Sequence, residues 1–138
     1  LDQSDTRLKL DLLPDARVMA NDIRLEQVFI NLFSNALDAM QGSDVRCLSI
    51  EQSTQDQCIV TRVIDTGPGI EHSQLPQIFD AFFTTKSVGV GLGLGLSISS
   101  ELVHNLGGTL QASNHSTAGA CFELRLRYAE APPGETDQ

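Results

Sequence analysis

The chain has no tryptophan, one tyrosine and nine Lys and Arg residues against eighteen Asp and Glu, a formal net charge of −9. That balance argues against broad binding to nucleic acid or to an anionic membrane surface, because both need clustered cations. It also requires that any phosphate site be assembled locally, from backbone amides, a metal and a few cations. No apolar run approaches the roughly 20 residues that cross a bilayer. The polar start Leu1-Asp2-Gln3-Ser4-Asp5 has nothing of a signal peptide. The three cysteines, Cys47, Cys58 and Cys121, lack C-x-x-C spacing and lie in apolar, strand-like stretches. They are expected to be buried, reduced thiols in a cytosolic protein rather than a disulfide framework or a metal site.

What remains is ordinary globular material. The 138 residues, 41% of them hydrophobic, suit one domain, large enough to bury roughly two-thirds of the surface of its unfolded chain. Leu8, Leu10 and Leu12 alternate with Arg7, Lys9 and Asp11, which predicts a half-buried strand. Pro14-Asp15 turns the chain, and Arg17 to Ala20 can form a short second strand. A long helix follows, with Asn21 or Asp22 as N-cap and Gly42 just past its end. Val45 to Gln52 and Cys58 to Ile64 read as strands at hairpin distance. Asp65 to Gly91 reads as loop with short helical turns. Leu92 to Leu106 reads as a second helix stopped by Gly107-Gly108, and Thr109 to Ser113 and Ala120 to Tyr128 close the pattern as strands. The expected domain is 1–128, and 129–138, with Pro132-Pro133-Gly134, is an expected disordered tail. The order lacks the steady β-α-β-α of a parallel sheet, so an α+β sandwich with helices on one sheet face fits best.

Three stretches carry chemical signals. On the first helix Leu25, Val28, Phe29, Leu32, Phe33, Ala36, Leu37 and Met40 form an apolar face. Gln27, Asn31, Asn35 and Asp38 line up on another face. Asparagine is a poor mid-helix residue, and two of them one turn apart, with an aspartate, suit a hard cation such as Mg²⁺ that keeps part of its water shell. A solvated polar face would explain the same residues. Asp65-Thr66-Gly67-Pro68-Gly69-Ile70 follows an apolar strand; a carboxylate there needs donors, and an exocyclic amine such as that of adenine is a natural one. A plain surface turn is the alternative. Gly89-Val90-Gly91-Leu92-Gly93-Leu94-Gly95 runs into a helix N-terminus, an arrangement that offers free N–H groups to an anion. No Lys-Ser/Thr pair follows these glycines, so this is not a P-loop. Phe82-Phe83-Thr84-Thr85-Lys86 lies just upstream, placing two hydroxyls and a cation beside aromatic residues.

In this order the stretches resemble the GHKL ATPase superfamily, and within it the catalytic ATP-binding domain of bacterial sensor histidine kinases. Leu25 to Ala39, with Asn31 and Asn35, resembles its N box, Asp65 to Gly69 its first glycine box, Phe79 to Phe82 its F box, and Gly91 to Leu96 its second glycine box. The resemblance covers Leu8 to Tyr128. Asn35-Ala36-Leu37-Asp38-Ala39-Met40 with Phe82 to Lys86 is similar to the nitrogen-regulation and dicarboxylate-sensing kinases. The implied fold is a Bergerat fold, a two-layer α/β sandwich whose mixed sheet has about five strands, covered on one face by about three helices. ATP would lie between the helix layer and a mobile lid.

The resemblance also implies residue roles. Asn35 would coordinate Mg²⁺, supported by Asn31, and Asn31, Asn35 and Lys86 form the catalytic set. Asp65 would accept the adenine amine, and Gly67, Gly69 and Ile70 would shape the base pocket. Thr84, Thr85, Lys86 and the turn Gly91, Leu92, Gly93, Leu94 and Gly95 would meet the phosphates, Asp38 would border them, and Phe82 would anchor the lid. The implied cofactors are ATP and Mg²⁺. The implied partners are the phosphoacceptor helical-hairpin domain of the same kinase and, downstream, a response regulator. No nucleic acid and no direct membrane contact are implied. The domain would be cytoplasmic, in a parent protein that is free to be anchored in the inner membrane.

Two departures from the family pattern matter. Asp38 stands where many of these kinases carry a cation, which leaves Lys86 to neutralise charge. His72-Ser73, His104-Asn105 and His115-Ser116 lack the acidic neighbour of a phosphoacceptor histidine, so the acceptor is expected on another domain. In hydrolysing relatives of the gyrase and chaperone type, a glutamate one turn before the metal asparagine activates water. That position is Asn31, whose amide is no general base. A GHKL-type ATPase, a serine kinase of the anti-sigma-factor type and a non-catalytic module that binds ATP and scaffolds a partner remain the alternatives.

Overall fold

A computed structural model describes residues 6–13, 22–80, 95–114 and 119–127. The short strand expected at 17–20, the N-cap at 21 and the tail from 129 lie outside them. The chain forms β1 (Arg7–Asp11), α1 (Asp22–Ala39), β2 (Cys47–Gln55), β3 (Cys58–Ile64), a 3-10 helix (His72–Gln77), α2 (Gly95–Asn105), β4 (Thr109–Asn114) and β5 (Ala120–Arg127). The five strands make one sheet in the order β1-β2-β3-β5-β4. β1 and β2 run parallel, as strands joined through a helix can, and the other pairs are antiparallel. This is the sheet under a helical layer that the element order predicts, with the mixed pairing and the five strands that the family resemblance implies.

Alternation along β5 sets the two faces. Phe122, Leu124 and Leu126 join Val63 of β3 in the core, where they meet Val28, Leu32 and Ala36 of α1 and Val103 of α2. Glu123 faces the other way and bridges Arg62 at 3.0 Å and Arg125 at 2.9 Å. These partly exposed pairs order the outer face and add little stability. Along α1, Val28, Leu32, Ala36 and Met40 recur every fourth residue and are at most 1% exposed. Leu37, expected on that stripe, is 44% exposed, because one further residue turns about 100° away from the buried line.

The segment of β1 departs from expectation as well. Leu8, Leu10 and Leu12 are 58%, 56% and 50% exposed, although Leu8 and Leu10 pair with Leu48 and Ile50 of β2. The helices lie over β3 and β4, and the edge strand extends past their cover. The β2–β3 hairpin is tighter than the sequence suggests. β2 continues to Gln55, and the chain reverses over Asp56 and Gln57, both with positive φ (53° and 66°), the backbone of a two-residue hairpin turn. Cys47 and Cys121 are buried and Cys58 is half-buried, all three as free thiols. Burial pushes the Cys121 thiol up, away from reactive thiolate character.

α2 stops where Gly107 predicts. The Gly107 N–H donates to His104 O at 3.0 Å and the Gly108 N–H to Val103 O at 3.0 Å, while Gly107 takes φ +83°. This is a Schellman cap, and it turns the chain directly into β4. Gly108 then lies against β5: a Cβ there would strike Arg125 O and stand 2.7 Å from Leu126 Cδ2 and 3.3 Å from Val103 Cγ1. The backbone carbonyl cannot step aside as a flexible side chain would. Gly108→Ala is therefore expected to destabilise the domain by about 1–3 kcal/mol. Urea unfolding should show a lower midpoint at an unchanged m-value.

Candidate functional site

β3 ends in a buried charge. Asp65 is 1% exposed, although it follows an apolar strand that would more cheaply end in water. Backbone donors make the burial tolerable. Asp65 Oδ1 accepts from Gly67 N at 2.8 Å and from Ala120 N at 3.2 Å. The main chain of Asp65 extends the β3–β5 pairing by one step: its N–H donates to Ala120 O at 3.1 Å, and its carbonyl accepts from Gly119 N at 2.8 Å. Among the described residues, no buried side-chain nitrogen or oxygen is left without a partner. Burial still raises the Asp65 pKa above its ordinary value, and the N–H groups of Gly67 and Ala120 offset part of that rise.

The turn after Asp65 fits only with bare glycines. A Cβ on Gly67 would sit 2.7 Å from Ala39 O, at the end of α1. One on Gly119 would strike Asp65 Oδ1 and lie 2.6 Å from Gly67 O. Gly69 takes φ +85°, open to glycine at little cost. Thr66 ties the turn to the chain leaving α1: its hydroxyl donates to Val45 O at 2.9 Å and accepts from Cys47 N at 3.0 Å. Ile70 packs against the core, as does Phe79, whose ring meets Phe122 edge-on at 6.3 Å between centroids.

The polar face of α1 adjoins α2. The Asn31 side-chain nitrogen donates to Ser99 Oγ at 3.1 Å and reaches Gly95 O at 3.4 Å. Ser99 is fully buried, so this contact fixes the approach of the two helices as well as the Asn31 rotamer. Asn35 and Asp38 follow on the same face, both half-buried. Among the described residues, no cluster of His, Cys, Asp and Glu is arranged to hold a metal ion. A cation here would rest on amide oxygens and on the oxygens of a ligand, a donor set that suits Mg²⁺. Phe82, Thr84, Thr85, Lys86, Gly91, Leu92, Gly93 and Leu94 lie outside the described residues, as does His115; Gly95 opens α2.

The structure thus brings Asp65, Gly67, Gly69 and Ile70 together and sets Gly67 against the last turn of the asparagine helix. It adds residues that sequence reasoning missed: Ala120, whose N–H holds the carboxylate, and Gly119, whose N–H holds the Asp65 backbone carbonyl; Ser99, which holds Asn31; and Asn114, whose amide meets Ile70. Gly119, just before the closing strand, was a visible signal; the others read as ordinary strand or helix residues.

The raised pKa of Asp65 has a definite sign in stability. The folded chain holds this proton more tightly than the unfolded chain, so the contribution is present at low pH and is lost as pH rises through the folded-state pKa. Asp65→Asn keeps an oxygen for Gly67 and Ala120 but does not titrate. The stability of the native chain relative to this variant should increase as pH falls from neutrality through the Asp65 pKa. Denaturant unfolding of both proteins across that range checks it, and a constant difference would place Asp65 at an ordinary pKa.

The chain matches the family described as "Histidine kinase-, DNA gyrase B-, and HSP90-like ATPase" over residues 20–130. It is 37% identical to the sensor protein FixL of Bradyrhizobium diazoefficiens over 130 residues, 93% of this chain and 25% of that protein. It is 39% identical to the C4-dicarboxylate transport sensor protein DctB of Rhizobium meliloti, over 88% of this chain and 19% of that protein. It therefore spans a quarter or less of these two relatives. Among solved structures, the catalytic domain of the histidine kinase ThkA superposes with a TM-score of 0.74 at 31% identity, covering 89% of this chain and 78% of that one. Full-length ShkA in complex with AMPPNP gives 0.78 at 27% identity, covering 94% of this chain and 27% of that one. On this match and these likenesses, the chain belongs to the histidine kinase-, gyrase B- and HSP90-like ATPase family, as the catalytic ATP-binding domain of a sensor histidine kinase.

Proposed function

We propose that this domain binds Mg-ATP and transfers the γ-phosphate to a histidine on a separate helical-hairpin domain, which then passes it to a response regulator. The observation that carries this reading is the buried Asp65 carboxylate, framed by Gly67, Gly119 and Ala120 beside the last turn of α1. Asp65 accepts the adenine amine, and Gly67, Gly69 and Ile70 form the wall against the base. Asn35 and Asn31 are the residues that would hold Mg²⁺, which when bound neutralises charge on the phosphates. Thr84, Thr85, Lys86 and the amides of Gly91, Gly93 and Gly95 cradle the phosphates, with Asp38 at their border and Phe82 anchoring a lid.

Phosphoryl transfer passes through a loose transition state, so the protein mainly positions the γ-phosphate and offsets charge. The bond from γ-phosphorus to the bridging oxygen breaks, ADP leaves, and a bond forms to an imidazole nitrogen supplied by the hairpin. Water is a poor competitor because Asn31 stands where hydrolysing relatives carry a base. Its amide nitrogen is a donor to Ser99 and Gly95, and an amide cannot accept the proton of an attacking water. Among the described residues no helix is long and apolar enough to cross a membrane. We place the domain in the cytoplasm.

The test is radiolabelled ATP. The chain alone should bind nucleotide yet neither label itself nor turn ATP over appreciably, and adding the cognate hairpin should produce acid-labile label on the hairpin. Asn35→Ala should abolish that transfer, whereas His72→Ala and His104→Ala should leave it largely intact. In calorimetry Asp65→Asn should weaken ADP binding by about 1–3 kcal/mol, the cost of leaving the amine without its acceptor. Acid-stable label would point to a serine kinase, and rapid hydrolysis by the isolated chain would mean that a residue other than Asn31 activates water.

A further inference from the structure

One side chain without a role in that reading holds the base wall in place. Asn114 is the last residue of β4. Its Oδ1 accepts from Ile70 N at 2.7 Å, and its Nδ2 donates to Ile70 O at 2.8 Å. The two backbone groups of Ile70 fix which way round the amide sits, because an N–H meets only the oxygen and a carbonyl only the nitrogen. A flat amide bonded to both groups of one residue imitates a neighbouring strand, and it does so where regular pairing of β4 ends. The fit depends on Gly69, where a Cβ would stand 2.8 Å from Asn114 Oδ1.

The position of Asn114 in the sheet connects this clamp to the carboxylate. Asn114 is the cross-strand partner of Ala120, the residue whose N–H bonds Asp65 Oδ1. The turn from Asp65 to Ile70 is therefore pinned at both ends by one corner of the β4–β5 pair: at Asp65 by Gly119 and Ala120, at Ile70 by Asn114. Without Asn114 the Asp65 end stays fixed by backbone bonds, while Ile70, next to Gly69, loses both of these bonds to the sheet. We propose that Asn114 is a positioning residue for the nucleotide base: it holds Gly69 and Ile70 as a preformed wall beside Asp65 and so sets affinity at the base end of the site, not at the phosphate end. This rests on the reading of the site as an ATP site. Binding to a preformed wall avoids the ordering cost that a loose turn would impose.

Asn114→Asp keeps the size of the side chain but turns an oxygen toward Ile70 O, and Asn114→Ala removes the clamp. With either variant folded, as near-native circular dichroism and thermal unfolding would show, the dissociation constants of ADP and of adenosine should rise together by about tenfold, the equivalent of one to two lost hydrogen bonds. Inorganic tripolyphosphate, which has no base, should compete with ATP as well as it does in the native chain. In trans transfer to the hairpin, KM for ATP should rise at unchanged kcat. The Ile70 amide should lose hydrogen-exchange protection in both variants without nucleotide, which tests the clamp independently of any ligand. Unchanged ADP affinity with lost Ile70 protection would overturn the positioning role, as would an equal loss of tripolyphosphate binding. Failure of the native chain to bind ADP or adenosine would overturn the ATP reading and this role with it, while Ile70 protection would still report whether the clamp exists.

Discussion

Everything at this site depends on keeping one carboxylate out of water. A charge as deeply buried as that of Asp65 is costly unless donors meet it. The donors are the N–H groups of Gly67 and Ala120, one from the turn that follows and one from a strand 55 residues away. The second donor exists only because β3 and β5 are neighbours in the sheet and their pairing continues past Ile64 and Cys121. The glycines at 67 and 119 follow from the same requirement. With β-carbons there, the turn, the strand and the end of α1 could not approach closely enough for the amides to reach Oδ1.

The neighbouring pieces are joined through a few polar side chains. Thr66 joins the carboxylate turn to the segment after α1, and the Met40 sulfur lies 3.3 Å from its hydroxyl. The Asn31–Ser99 bond joins α1 to α2 through a hydroxyl with no exposure. A buried hydroxyl that loses its partner costs more than an apolar replacement would, so each contact favours one relative placement of the elements. α2 begins at Gly95, the last glycine of the glycine-rich stretch of sequence, and is closed at its far end by the Schellman cap on Gly107. The asparagine face and the helix that follows the glycines are thereby held in one register.

How much of this was legible in the sequence follows from where each constraint lies. β3 was read residue for residue, because an apolar run bounded by turn residues is a local signal. The stop at Gly107 was legible for the same reason, and Asn31, Asn35 and Asp65 stood out because their types are unusual for their places. Edge exposure was not: Leu8 and Leu10 alternate as a half-buried strand should, and only the strand order shows that the helices do not cover them. Ser99 and Asn114 were not legible either. Each acts on a partner 68 or 44 residues away, and nothing in the nearby sequence distinguishes such a residue from an ordinary helix or strand position.

Charge is the remaining constraint on the proposed chemistry. With a net charge of −9, the chain must offset a nucleotide's phosphates from few sources. Arg62 and Arg125 are not among them, since both are bonded to Glu123 on the sheet face turned away from the helices. Arg46 is tied to the Ser43 carbonyl after α1, with its Nε 3.3 Å from that oxygen. The proposed reading draws on amides at the start of α2, a metal that the asparagine face would hold, and Lys86. In that reading each of these would stabilise negative charge without acting as a base, and the proposed site would hold a phosphoryl group in position rather than activate water. In the proposed reading another domain brings the nucleophile, and the chain spans a quarter or less of the relatives FixL and DctB, which leaves them length for one.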